Sequence, residues 1–209
     1  MAESLTTLKA RIASEIHRPD LTAEIASAIS SAILQHRSRR FEFNELPASF
    51  NTVAAQESYT SGDTGFPTDI GELDTLRITV SGTHTLLRSL TFPELQALSI
   101  TTSLTGAPSG YSWYGQKLYL YPIPDAVYAV LVSYQRRKAA PANDADTTSV
   151  WTNEAEALIR HCAKKLLARD VMFDPDLYAR SKDAEAEALG ILMRESLQLQ
   201  DQGPLQGSW

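Results

Sequence analysis

The sequence is poor in the residues that most often carry chemistry. One cysteine, Cys162, in 209 residues excludes an intrachain disulfide and any zinc site built on several cysteines. Histidine is scarce too: His17, His36, His84 and His161 are the four. None forms an HExxH pattern, and no second His or Cys stands at ligand spacing from any of them. Gly106, Gly110 and Gly115 have neither the spacing of a phosphate-cradling loop nor a following Lys-Ser or helix. No GxSxG nucleophile turn occurs. The longest uncharged run, residues 95–116, is full of Ser, Thr, Gly and Pro, so no stretch suits a bilayer span. The opening MAESLTTLKAR carries no apolar signal core, and the cytoplasm is the expected compartment. The chain also lacks a basic excess. Its net charge is −6, which does not fit a nucleic-acid reader that gains affinity by neutralising phosphates.

What is present describes an ordinary folded chain. At 43% hydrophobic and 21% charged residues, wholesale disorder is excluded. The length suits one domain, or one domain with an insertion. A chain of this size buries about 70% of its unfolded surface and needs no disulfide or metal to hold it. The charge is uneven: residues 1–40 carry +2, 41–135 carry −6, 136–150 carry +1 and 151–209 carry −3. Two short basic knots interrupt it, His36-Arg37-Ser38-Arg39-Arg40 and Arg136-Arg137-Lys138. They read as the end of a helix and the end of a strand; cations in a last helical turn suit the helix dipole.

Hydrophobic spacing divides the chain into blocks. Leu5, Leu8, Ile12 and Ile16 predict a first helix, with Ser4 as its cap and Pro19 as its stop. Leu21, Ile25, Ile29 and Ile33 predict a second, capped by Asp20 or Thr22. From Phe41 the period shortens. Phe41 and Phe43 alternate with polar neighbours; Leu76, Ile78 and Val80 alternate with Arg77 and Thr79. Residues 84–90 return as a partner strand, and Pro93 opens a short helix with Leu95 and Leu98 facing inward. Gly115-Gln116 between two aromatic-rich runs predicts a two-residue hairpin, and residues 126–135 predict the strongest strand. This middle section should be a small antiparallel sheet of about four to six strands. Residues 139–150 read as a polar linker. Helix resumes with Thr152 as cap and a stripe through Leu158, Cys162 and Leu166. Asp174-Pro175 then opens a last helix to about Gln200.

The expected fold class is therefore α+β: a helical bundle formed by the N-terminal and C-terminal helix pairs, with an inserted small antiparallel β-sheet region. The expected division is a discontinuous helical core (1–40 and 151–200), a β-rich insertion (41–138), a linker (139–150) and an extended tail (201–209).

The candidates for chemistry resolve into structure. His161 and Cys162 are helical neighbours pointing in different directions, so a nucleophile–base pair would need a distant partner. A buried apolar Cys beside an exposed His is the plainer reading. Asp63, Asp69, Glu72 and Asp74 lack the alternate spacing and closing Glu of a calcium loop. No pattern selects a catalytic, cofactor or metal residue. The aromatics say more. Six of the eight tyrosines, with Trp113, fall between 111 and 134. Along the last strand Tyr128, Val130, Val132 and Tyr134 share one face, opposite Val127, Ala129 and Leu131. Two apolar faces require two covers. One is the helical core; the other is a neighbouring subunit, or the aromatics are simply a Tyr-rich internal core. Trp209 ends a polar Gly/Pro/Gln tail, which is either disordered or docked elsewhere with the Trp as anchor.

Taken in order, the segments resemble the head-to-tail adaptor (connector, or head-completion) proteins of tailed bacteriophages. The resemblance is carried by HRPDLTAEIASAISSAILQHRSRRFEFNE, FPTDIGELDTLRITVSG, YSWYGQKLYLYPIPDAVYAVLVSYQRR and WTNEAEALIRHCAKKLLARDV, within residues 4–195. It implies a structural virion neck protein without catalysis or cofactor. Such proteins form a ring with neighbouring copies, commonly twelve, beneath the portal protein. They extend the DNA channel and connect head to tail through a downstream tail or nozzle protein. DNA would pass without specific binding, and no membrane is involved. Assembly in the host cytoplasm and residence at the head–tail junction follow. The resemblance makes residues 175–200 and the 203–209 tail portal-facing and favours a docked Trp209. The expected partner-interface residues are Arg39, Arg40, Tyr128, Tyr134, Leu205 and Trp209. The acidic 41–135 section would suit a channel lining that repels phosphate. Two alternatives remain open: a stopper or tail-completion ring on the tail side of the neck, and a small hydrolase or nucleotide-binding enzyme whose carboxylates meet only in space.

Overall fold

The structure, a computed structural model, describes residues 4–101 and 104–200. They form α1 (Leu5–Glu15), α2 (Thr22–His36), α3 (Phe92–Thr101), α4 (Val150–Asn153), α5 (Glu156–Leu167) and α6 (Pro175–Gln200). The strands are β1 (Glu45–Asn51), β2 (Ser58–Tyr59), β3 (Ile70–Val80), β4 (Thr83–Leu86), β5 (Arg88–Ser89), β6 (Gly110–Tyr114), β7 (Lys117–Tyr121) and β8 (Ala129–Arg136). The fold class is α+β, as the spacing predicts. The chain divides into two compact units, residues 1–44 with 138–209, and residues 45–137.

The helical unit is built around α5, which packs against α1, α2 and α6. Leu8 and Ile12 of α1, Ile25, Ile29 and Ile33 of α2, and Leu158, Ile159, Cys162 and Leu166 of α5 enter one core. Ser4 caps α1 in a reciprocal box, its hydroxyl accepting from the Thr7 amide at 3.2 Å while Thr7 Oγ1 accepts from the Ser4 amide at 2.9 Å. Pro19 does not stop this helix; His17, at φ 54°, turns the chain first. Neither Asp20 nor Thr22 caps α2, whose N-cap is Leu21, because the Asp20 carboxylate is held by Arg18. Ser149, not Thr152, caps the helix restart; Thr152 is fully buried. Phe41 and Phe43 do not start a strand. They stack on one another beside a 3-10 turn (Glu42–Asn44), and Phe43 meets Trp151 edge-on in the helical core. Residues 139–149 have no regular structure, and α4 begins at Val150, yet the segment is docked: the Asp144 carbonyl accepts from the Thr6 amide at 3.0 Å, and its carboxylate accepts from Lys9 at 2.8 Å.

The second unit holds two four-stranded sheets, ordered β1-β8-β3-β4 and β2-β7-β6-β5. This exceeds the single sheet predicted, and it is not wholly antiparallel, since β5 pairs with β6 in parallel. Residue alternation decides the core. Phe50, Leu76, Ile78, Val130, Val132 and Tyr134 of the first sheet meet Tyr59, Tyr111, Leu118 and Leu120 of the second. The cover on the Val130–Val132–Tyr134 face is thus a second sheet of the same unit. The hairpin between β6 and β7 turns at Gly115 and Gln116, both at positive φ, as a tight two-residue turn requires. Thr91 and Glu94 cap α3 reciprocally, and Leu95 is buried, but Leu98 is exposed rather than inward. Among the described residues, no helix is long and apolar enough to cross a membrane.

Candidate functional site

Three apolar helical stripes each carry one polar interruption, and packing brings the three together. His36 ends the Ile25–Ile29–Ile33 stripe of α2, Cys162 sits on that of α5, and Glu185 lies on the small-residue face of α6. They are 3%, 0% and 8% exposed, and one ligand-type atom from each lies within 4.8 Å of the others. The Glu185 carboxylate takes His36 Nε2 at 3.1 Å on one oxygen and the Lys165 ammonium on the other. The Cys162 thiol donates to Gln35 Oε1 at 3.5 Å.

The electrostatics follow from burial and from Lys165. Burial opposes the charge on Glu185, but the bonds and charge of Lys165 outweigh it and hold its carboxyl below the usual range. Burial lowers the His36 pKa, despite the opposing pull of Glu185, so the imidazole is neutral. Burial beside Glu185 pushes the Cys162 thiol up to about 12. Cys, His and a carboxylate are the ingredients of a nucleophilic triad and of a metal site. Both use the thiolate, which burial beside Glu185 disfavours. A cation would also have to displace Lys165, which already neutralises Glu185. The cluster acts as an internal lock joining α2, α5 and α6. The pattern that hid it is the basic knot at the end of the helix, to which His36 belongs; its place on the α2 stripe was the available signal.

The remaining candidates are engaged separately. Asp63 closes a turn by accepting from the Thr60 amide at 2.6 Å. Asp69 accepts from Arg136 Nε at 2.6 Å and from Tyr134 Oη at 3.1 Å. Burial and the Asp69 charge raise the Tyr134 pKa to about 12. Tyr134 is 3% exposed, so its ring belongs to the core of its own unit. Tyr128 is half-buried, its hydroxyl donating to Asp125 at 2.5 Å. Arg39 and Arg40 are exposed just beyond α2. Leu205 and Trp209 lie outside the described residues.

The surface of the helical unit carries two clefts beside His161. One, of about 310 Å³, is lined by the apolar Ala157, Ala188 and Ile191 and by the acidic Glu154, Glu187 and Glu195. The other, of about 460 Å³, is lined by Glu15, His17, Lys164, Leu177 and Arg180. Between α5 and α6, a π-helical turn (Ala168–Met172) ends at Phe173, which has φ 54° and is 79% exposed.

The helical unit thus presents clefts and an exposed Phe around an apolar core that holds one buried polar cluster. The class of protein is given by comparison: a family model of phage head–tail adaptors matches nearly the whole chain. The family described as SU10 adaptor protein matches the chain over residues 4–207, and the chain belongs to that family. No curated protein matches the chain. The resemblance read from the segment order is therefore met.

Proposed function

We propose that this protein works in the virion neck as a ring of copies seated under the portal, extending the DNA channel and linking it to a downstream tail or nozzle protein. The observation that carries this reading is the family match across nearly the whole chain. Twelve copies is the number proposed, with assembly in the host cytoplasm. Neither catalysis nor a cofactor enters the role, consistent with the protonated, enclosed Cys162. DNA passes without specific binding; the −6 charge of residues 41–135 would disfavour phosphate retention wherever that section lines the channel.

The proposed partner surface comprises Arg39, Arg40 and Tyr128, with Leu205 and Trp209 on a tail that reaches the portal. Tyr134 would act indirectly, by holding the β8 strand. The test is to mix the protein with its cognate portal and measure the mass of the complex. A stoichiometric ring on the portal is expected; no association removes the reading, and association only with tail components favours a stopper. A chain ending at Gln200 should bind the portal weakly, and undiminished binding would remove the Trp209 anchor. Unchanged assembly of the Arg39→Glu, Arg40→Glu double variant would remove those two residues from the interface.

A further inference from the structure

We propose that the Phe173 turn of one copy docks in the cleft formed by His17, Lys164 and Arg180 of a second copy, giving a head-to-tail contact. The inference rests on the ring reading above and names the contact that would build it. Phe173 meets two unfavourable conditions at once. Its ring is 79% exposed, and its backbone sits in the left-handed region that a bulky residue rarely adopts. Glycine would suit that backbone better, so the ring is the feature that needs an explanation. Phe173 lines neither cleft beside His161 in its own chain.

Charge chooses between the two clefts. Around Phe173 stand Asp170, Asp174 and Asp176; Arg169 is paired with Asp170 at 2.6 Å, and Arg180 reaches the Asp176 carbonyl at 3.3 Å without meeting a carboxylate of the turn. An acidic turn of this kind is repelled by the cleft lined with Glu154, Glu187 and Glu195. The other cleft carries Lys164 and Arg180. Its one carboxylate, Glu15, is shared between Lys164 and Arg160 at 2.6 Å each. Leu177 and Ala184 give this cleft an apolar part of its lining, and its volume of about 460 Å³ makes it the larger of the two. An aromatic anchor against an apolar lining with carboxylates facing cations is the composition of an interface hot spot. Projection and socket are made of different residues that adjoin along the first turns of α6, so a contact between them is heterologous, and heterologous contacts generate rings when the rotation closes.

Two variants test this. Phe173→Gly removes the projection and leaves the socket; Arg180→Glu reverses the socket and leaves the projection. Circular dichroism and thermal melts check that both fold, and Phe173→Gly should melt no lower than wild type. Sedimentation over a concentration series should show wild-type self-association and each variant weakened about tenfold or more, the scale of a hot-spot loss. An equal mixture of the two variants keeps one intact contact and should give a pair that grows no further. If wild type associates and either variant associates equally well, this contact is wrong while the ring reading stands. If both variants fail and the mixture fails too, the contact is also wrong. A wild-type chain that stays monomeric throughout overturns the contact, and the portal experiment above then judges the ring reading separately.

Discussion

His36 Nε2 lies 3.1 Å from Glu185 Oε1, closing a gap of 149 positions in the chain. The contact fastens the last turn of α2 to the middle of α6, beside a fully buried thiol. α6 packs Leu177, Ala188, Leu189 and Leu192 against the core, and its most buried positions also include the polar Ser181, Glu185 and Ser196. The polar contacts of Glu185 add to that packing.

Stability of the helical unit should fall as solution is acidified. His36 is depressed below its ordinary value of 6.5, so the unfolded chain gains a proton there first. Its contribution is present above pH 6.5 and is lost as pH falls through the lower folded value. Glu185, depressed below 4.5, adds a second loss in the same direction. Cys162 acts oppositely: its pKa rises from 9.0 to about 12, so stability declines as pH climbs through that range. Urea titrations across pH should show a dome, and Cys162→Ala should flatten its alkaline side. A pH-independent midpoint would contradict the buried cluster.

Removing Lys165 should be costly. Lys165→Met leaves the Glu185 carboxylate buried without its cation, a loss of about 3 kcal/mol for a broken buried pair. The double variant Lys165→Met, Glu185→Met should recover much of that. Chemical denaturation of the singles and the double gives the coupling. Additive losses would show that the pair does not act as a unit.

Each unit has its own core, and each should respond to truncation. Trp151→Ala empties a fully buried site in the helical unit and should cost about 3–5 kcal/mol. Leu76→Ala, also fully buried, should cost about 2–5 kcal/mol in the β unit. Hydrogen exchange read by segment should show the lost protection in the unit that carries each substitution. Losses confined to the other unit would contradict the division.

The β6–β7 hairpin contains a correctable strain. Gln116 has φ 62°, and an L-residue in that region costs about 1–2 kcal/mol. Gln116→Gly removes that cost against a loss of chain entropy, so a small gain in melting temperature is expected. Gly115→Val, at φ 59°, should lower it. The reverse order in a thermal melt would mean that the turn has another geometry.

Local chemistry was legible where one residue decides the outcome. Ser4, Asp174 and the Gly115-Gln116 pair act as caps and turn where the sequence places them. Leu76, Ile78, Val130 and Val132 face inward as alternation requires. Legibility failed where a distant partner competes. Asp20 was available to cap α2, but Arg18 holds it. Phe41 and Phe43 alternate like strand residues, yet Trp151, over a hundred positions away, draws Phe43 into the helical core. The short β2 and β5 strands carry too few residues for a period, so the second sheet stayed hidden.

The sequence by itself determined the α+β class, the helical periods, the acidic middle and the family, because periodicity, charge and segment order are properties of neighbours along the chain. Only the tertiary structure decided that His36, Cys162 and Glu185 meet, that two sheets share the β core, and that Phe173 stands out beside an acidic turn. Those outcomes depend on which helix face meets which. Burial then sets the ionisation of groups whose partners no local pattern names.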